Sequence, residues 1–234
     1  MIVAFRRGAR RESYVGPWLP ESLPESTGWV SGRAGARMAD PADRVTLDES
    51  VTMAFLVVLD AMSPAQRVAI ILHDVFGYSF AEVGRIVGRS PAACQQLASE
   101  ARRRIRAANP PATPSARQAG IVRDFKRAWG AQDIDALIGL LDPGAAAVAD
   151  SGGRVTAALQ PTDGAKRIAR YAVELARAVP GLTLLERMVN GQAGLIAQQD
   201  GVTVTVFAFD IAGDRIRHIW AIRNPGKLRS WTAG

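Results

Sequence analysis

The sequence predicts two domains, an all-α unit built on a helix-turn-helix and then an α+β unit whose curved antiparallel sheet wraps on helices. Three observations point there. Residues 78–106, YSFAEVGRIVGRSPAACQQLASEARRRIR, hold two helical periods joined by a Gly-containing turn of about three residues. Asn109-Pro110-Pro111-Ala112-Thr113-Pro114 then breaks the chain, since proline cannot continue a helix. Beyond it, helical patterns come first and alternating strand patterns with Asp-Gly turns follow. The expected boundaries are an arm at 1–44, the helical unit at 45–108, a Pro-rich linker at 109–117 and the α+β unit at 118–232.

From Met1 to about Arg44 no helical or strand period is sustained. Gly, Pro, Ser and Arg recur throughout, so the segment reads as an extended arm. Tyr14, Val15, Trp18 and Leu19 are large apolar groups within it, and Pro17 and Pro20 lower the entropy lost on docking. Trp18 and Leu19 are therefore expected to pack against a folded domain, the alternative being a mobile arm. A helix is predicted from Leu47 to Ala61, where Val51, Ala54, Phe55, Val58, Leu59 and Met62 keep a helical period. Ser63-Pro64 starts the next, which runs to Phe76 and stops at Gly77. His73 and Asp74 at its end read as surface or dipole-satisfying groups, with no second His or Cys at a metal spacing.

Ser79 and Glu82 form a capping-box pattern for the first helix of the pair. Gly88 marks its end, and Ser90-Pro91 the start of the second. On that second helix Cys94, Leu97, Ala101 and Ile105 recur on one side and are assigned to a core, Cys94 as a small apolar filler. The opposite side carries Ala92, Gln95, Ser99, Arg102 and Arg106, flanked by Gln96 and Arg103. Amide and hydroxyl groups near the N-terminus suit base edges, and later arginines suit phosphates. A solvated basic helix is the plainer alternative. Charge favours the first, because residues 41–84 carry a net −4 and residues 85–110 a net +5.

In the α+β unit, helices are expected at 116–130, 133–141 and 162–179. Strands are expected at 145–150, 154–159, 182–189, 193–198, 202–209 and 215–223, with turns at Ser151-Gly152-Gly153, Asp200-Gly201 and Gly213-Asp214. Trp129 and Trp220 read as core residues, and Trp231 as a docking or frayed residue.

The whole chain of 234 residues is 48% hydrophobic with net charge +7, enough to bury a core and weakly suggestive of a polyanionic partner. No stretch is long and apolar enough to span a membrane, and Met1–Phe5 is too short for a signal-peptide core. One cysteine excludes an internal disulfide framework and fits a cytoplasmic setting. No cofactor or metal site is expected.

Residues 62–106, MSPAQRVAIILHDVFGYSFAEVGRIVGRSPAACQQLASEARRRIR, resemble region 4 of the sigma-70 family, in its extracytoplasmic-function group. The resemblance implies recognition of a promoter −35 element and docking on the flap of RNA polymerase. It places DNA contacts at Pro91, Ala92, Gln95, Gln96, Ser99, Arg102 and Arg103, to which the helical face adds Arg106. The later element order resembles the SnoaL-like group of the nuclear-transport-factor and ketosteroid-isomerase fold, a cone with a pocket for a small apolar ligand. Sigma factors of the SigJ-like class carry such a domain, with WLPEP, DGGG and NPDKL motifs. This chain has Trp18-Leu19-Pro20-Glu21-Ser22, Asp150-Ser151-Gly152-Gly153 and Asn224-Pro225-Gly226-Lys227-Leu228, each departing at one position: Ser22, Ser151 and Gly226. In that class the added domain tunes sigma activity together with the linker.

The family also has a region 2 ahead of the linker, which opens the −10 element. Here only Arg10 and Arg11 stand where it would end, so the expectation is a chain without region 2 and without independent promoter opening. Such a chain acts as a sigma factor or as a truncated regulatory fragment. The competing reading is an isomerase-like enzyme using Asp150, Asp210 and His218 in the pocket, since burial can raise a carboxyl pKa into a useful range. Protein contact or ligand sensing is the preferred role, with no catalytic residue assigned.

Overall fold

The computed structural model describes residues 16–24, 52–108, 115–153 and 161–232. They fall into two compact units, 52–108 and 16–24 together with 115–232. In the first, α1 (Met53–Ala61) begins where the Thr52 hydroxyl accepts the Phe55 N–H at 3.2 Å. The predicted start at Leu47 lies outside the described residues. Helix α2 (Pro64–Ile70) opens on a full capping box, with Ser63 N–H donating to Gln66 Oε1 at 3.2 Å and Gln66 N–H to Ser63 Oγ at 3.3 Å. It does not continue to Phe76 as an α-helix. Residues Ile71–Val75 widen into a π-helical turn, with Phe76 N–H reaching back to Ile71 O at 3.2 Å.

Helix α3 (Phe80–Val87) is capped by Ser79, whose N–H donates to Glu82 Oε2 at 2.8 Å. The Ser79 hydroxyl and N–H bonds hold the Glu82 carboxyl below its usual range. Gly88 ends the helix at φ 68°, in the left-handed region. The Ser90 hydroxyl accepts Ala93 N–H at 3.2 Å to start α4 (Pro91–Ala108). Cys94, Ala98, Ala101 and Ile105 of α4 are buried with Met62, Ala69, Ile70 and Val83.

The turn closes tightly over Gly84, where a Cβ would stand 2.6 Å from the Arg89 carbonyl oxygen. Gly84→Ala is therefore expected to cost about 1–3 kcal/mol through forced backbone displacement. Denaturant unfolding of the variant checks this, and unchanged stability would show that the two helices are not so closely apposed.

The second unit opens with α5 (Ser115–Gly130) and α6 (Ile134–Leu140). It continues through β1 (Leu141–Asp150), β2 (Thr162–Asp163), α7 (Ala165–Ala178), β3 (Thr183–Val189), β4 (Gln192–Gln199), β5 (Val202–Ala212), β6 (Arg215–Ile222) and α8 (Arg229–Thr232). The sheet order is β2-β1-β6-β5-β4-β3. Positive φ at both residues of Asn190-Gly191 and of Asp200-Gly201 sets the β3–β4 and β4–β5 hairpins.

Three expectations need correction. The sheet is mixed, because β1 runs parallel to β6 and closes the β3–β6 meander from its other side. Helix α7 starts at Ala165, not 162, since Thr162-Asp163 pairs with β1 and Gly164 turns the chain at φ 91°. Asp142-Pro143-Gly144 is absorbed in β1 as an irregularity in its pairing with β6, with Gly144 N–H on Asp142 Oδ1 at 2.9 Å. The strand expected at 154–159 lies outside the described residues.

Alternation along the strands builds two buried faces. Leu195, Phe207, Phe209 and Ile219 pack inward against Phe125 and Trp129 of α5 and Ile168 and Ala172 of α7. Trp129 Nε1–H donates to Ala172 O at 2.6 Å, which pins α5 to α7. Their neighbours Ile196, Val206, Ala208, Trp220 and Ile222 face the other way and are also buried. Among the described residues no helix is long and apolar enough to cross a membrane.

Candidate nucleic-acid interface and linker clasp

The outer side of α4 is polar from its first turn. Pro91, Ala92, Gln95, Gln96, Ser99 and Arg103 are exposed, while Cys94, Ala98 and Ala101 on the reverse are fully buried. Arg106 belongs to the same helix, its side chain lying outside the described residues. Arg102 is placed differently from Arg103. Its Nε and Nη2 donate to the two Asp74 oxygens at 3.0 and 2.6 Å, with the side chains only 11% and 3% exposed. The π-helical turn thus presents a carboxylate to α4, and Arg102 ties the two segments by a bidentate pair. His73, next to it, stacks on Phe80 and sets Nδ1 2.7 Å from Tyr78 O, so it supports the loop into α3.

The second unit gathers three separated sequence motifs at one end of the sheet. Asp150, last residue of β1, is fully buried and accepts Leu19 N–H at 2.9 Å and Lys227 Nζ at 2.7 Å through Oδ2. Its Oδ1 accepts Gly152 N–H at 3.1 Å. Lys227 Nζ also donates to the Leu19 carbonyl, and stands 4.0 Å from the centroid of the Trp18 ring. Positive φ at Gly152 and Gly153 explains two glycines of the Asp150–Gly153 turn, whereas Ser151 stands outside that region and keeps a side chain. Asn224 Oδ1 accepts Gly226 N–H at 2.9 Å, forming the turn that aims Lys227 inward. Pro225 shapes that turn, and Leu228 after it is buried.

Leu19, Pro20 and Ser22 of the linker are buried, and Glu21 between them is exposed. Beyond this clasp the linker is held by backbone pairing. Leu23 N–H donates to Asn190 Oδ1 at 2.8 Å, Asn190 N–H returns to Leu23 O at 3.0 Å, and Pro24 bridges Val189. Trp231 Nε1–H donates to Ser22 O at 3.0 Å.

The three enzyme candidates are not assembled. Asp210 and His218 are cross-strand neighbours with Oδ2 and Nδ1 3.0 Å apart, and Arg217 also donates to Asp210 at 2.8 Å. Asp150 is held in the clasp. A separate cavity of ≈ 60 Å³ lies between α5, α7 and the inner sheet face, lined by Phe125, Trp129, Tyr171, Phe207 and small residues of β1 and β6. None of Asp150, Asp210 and His218 lines it.

The family model for sigma-70 region 4 matches residues 52–105. ECF RNA polymerase sigma factor SigJ of Mycobacterium tuberculosis is 33% identical over 231 residues, covering 94% of this chain and 71% of that protein. The chain belongs to the ECF RNA polymerase sigma factor family. A probable ECF RNA polymerase sigma factor SigI of the same species is 32% identical over 201 residues, covering 86% of this chain and 67% of the relative. The crystal structure of M. tuberculosis SigJ is also similar, with a TM-score of 0.68 and 28% identity over 94% of this sigma factor and 76% of that chain. The helical unit is region 4, and the C-terminal unit is an α+β domain with a mixed sheet.

Sequence reasoning missed Arg223 and Asn190 of the sigma factor's clasp region, while it read Trp231 as a docking or frayed residue and Ser22 as a departure within the linker motif. Arg223 N–H bonds Asp150 O at 2.7 Å, and Asn190, Ser22 and Trp231 hold the rest of the linker. Nothing local in the sequence marks the Asn190 side chain as a linker anchor. Ser22 buries a hydroxyl that has no hydrogen-bond partner among the described residues.

Proposed function

We propose that α4 reads a promoter −35 element from the major groove. Region 4 docks on the flap of RNA polymerase, and the SnoaL-like unit tunes activity through the linker clasp. The boundaries 1–44, 45–108, 109–117 and 118–232 belong to this reading, as does a cytoplasmic location alongside the transcription machinery. The observation that carries it is the polar outer side of α4, where Gln95, Gln96 and Ser99 stand exposed at the end that enters a groove first and Arg103 follows. Gln95, Gln96 and Ser99 are assigned to base edges, Pro91 and Ala92 to close approach, and Arg103 and Arg106 to phosphates, with Arg102 bracing the helix.

Run-off transcription with core polymerase, paired with binding to duplexes carrying a −35 element, tests this. Gln95→Ala and Gln96→Ala are expected to change preference among −35 variants, by about 1–3 kcal/mol at a base pair read bidentately. Identical preference in both variants would remove α4 as the reader. The SnoaL-like unit is assigned no catalytic role, supported by the absence of Asp150, Asp210 and His218 from the cavity wall. The cavity is assigned to a small apolar ligand, on the strength of its aromatic and aliphatic lining.

A further inference from the structure

The cavity and the linker clasp share two strands. Val148 and Ala149 of β1 and Ala221 of β6 form cavity wall, and the next residue of each strand, Asp150 and Ile222, faces the opposite side. Ala149 pairs with Ala221 and Asp150 with Ile222, and Arg223 N–H then bonds Asp150 O at 2.7 Å. One peptide unit therefore separates the wall from the carboxylate that holds Leu19 and Lys227. A strand is stiff along its length, so outward movement at Val148–Ala149 carries Asp150 with it.

The chemistry and size of the cavity set the ligand class. Among the described residues its polar side-chain atoms are few, with Thr162 and Tyr171 in the wall and Trp129 Nε1–H already donated to Ala172 O. A charged or strongly hydrogen-bonding molecule would lose its hydration without replacement. An apolar cavity of about 150 Å³ stays dry and accepts one benzene. At ≈ 60 Å³ this pocket, partly open to solvent, takes in a whole ring only if a wall yields. Strand β6 is braced on both sides, by β1 and β5, whereas among the described residues β1 has beyond it the two-residue β2. The yielding wall is β1.

We propose that a small uncharged hydrocarbon-like molecule, a single ring or a short alkyl chain, enters this cavity, displaces β1 and loosens the hold of Asp150 on Leu19 and Lys227. The inference rests on the ligand reading above and adds its consequence for the linker. A ligand shifts an equilibrium only by its difference in affinity for the two states, and the roomier, clasp-open state is the one it favours. Linkage is reciprocal, so opening the clasp by other means tightens ligand binding by the same factor.

The test uses the full chain with benzene as probe. Binding is read from the methyl resonances of Ile168 and Ile219, and the clasp from hydrogen exchange of the Leu19 amide. The expected result is methyl shifts that saturate, with Leu19 exchange accelerated about tenfold. Lys227→Met, if it folds, is expected to tighten benzene binding to a similar degree. Saturable methyl shifts with unchanged Leu19 exchange would overturn the coupling while leaving the ligand reading intact. Absence of methyl shifts would overturn the ligand reading, and the coupling with it.

Discussion

Asp150→Ala is expected to destabilise the C-terminal unit by about 3–5 kcal/mol and to release the linker, because it removes the buried carboxylate that pairs with a buried cation. Asp150 is fully buried, the Lys227 side chain is 8% exposed, and the Leu19 N–H has its acceptor in the same carboxylate. Removing the carboxylate leaves an ammonium and an amide in a site that water reaches poorly. Denaturant unfolding reads the stability, and proteolysis within residues 16–24 reads the release. Asp150→Ala combined with Lys227→Met is expected to cost less than the two single changes together, since the double variant buries no unpaired charge. A single variant with native stability and a protected linker would show that the clasp does not hold the linker. In transcription with core polymerase, the same variant reports whether the clasp sets the activity of the sigma factor.

The second large effect separates two adjacent arginines. Arg102→Ala is expected to cost the helical unit about 3–5 kcal/mol, because Asp74 stays buried without its bidentate partner. Arg103 is exposed on the outer side of α4, so Arg103→Ala is expected to leave stability within about 0.5 kcal/mol. It should instead weaken binding to all DNA sequences and reduce the salt slope by about 0.9, the value for one phosphate contact. Loss of the slope from Arg102→Ala in a fully folded protein, with none from Arg103→Ala, would exchange the two assignments. A joint charge reversal of both residues confounds folding with DNA contact, which is why they are separated here.

The helix-turn-helix was legible because its determinants are local. Ser79 and Glu82 meet three residues apart, Gly88 needs only its own φ, and Cys94, Ala101 and Ile105 recur on one side of a single helix. The three motifs of the C-terminal reading were visible as motifs through resemblance. Their meeting was not, because Leu19 and Asp150 lie 131 residues apart and Leu19 and Lys227 lie 208 apart. Arg102 shows the same limit at shorter range. A helical face places it near Arg106, but a π-helical turn 28 residues earlier turns its charge inward.

The sequence by itself determined the capped starts of the helices at Ser63 and Ser79, the helix-turn-helix, the β3–β6 strand run and the polar outer side of α4. Each rests on periodicity, capping or a backbone constraint that acts within a few residues. Only the tertiary structure decided that β1 lies parallel to β6, that Asp150 holds the linker and Lys227 besides its own turn, and that none of the three candidate catalytic side chains lines the cavity. Those facts depend on which surfaces become buried against each other, and burial is what turns an ordinary carboxylate or arginine into a strong, specific contact.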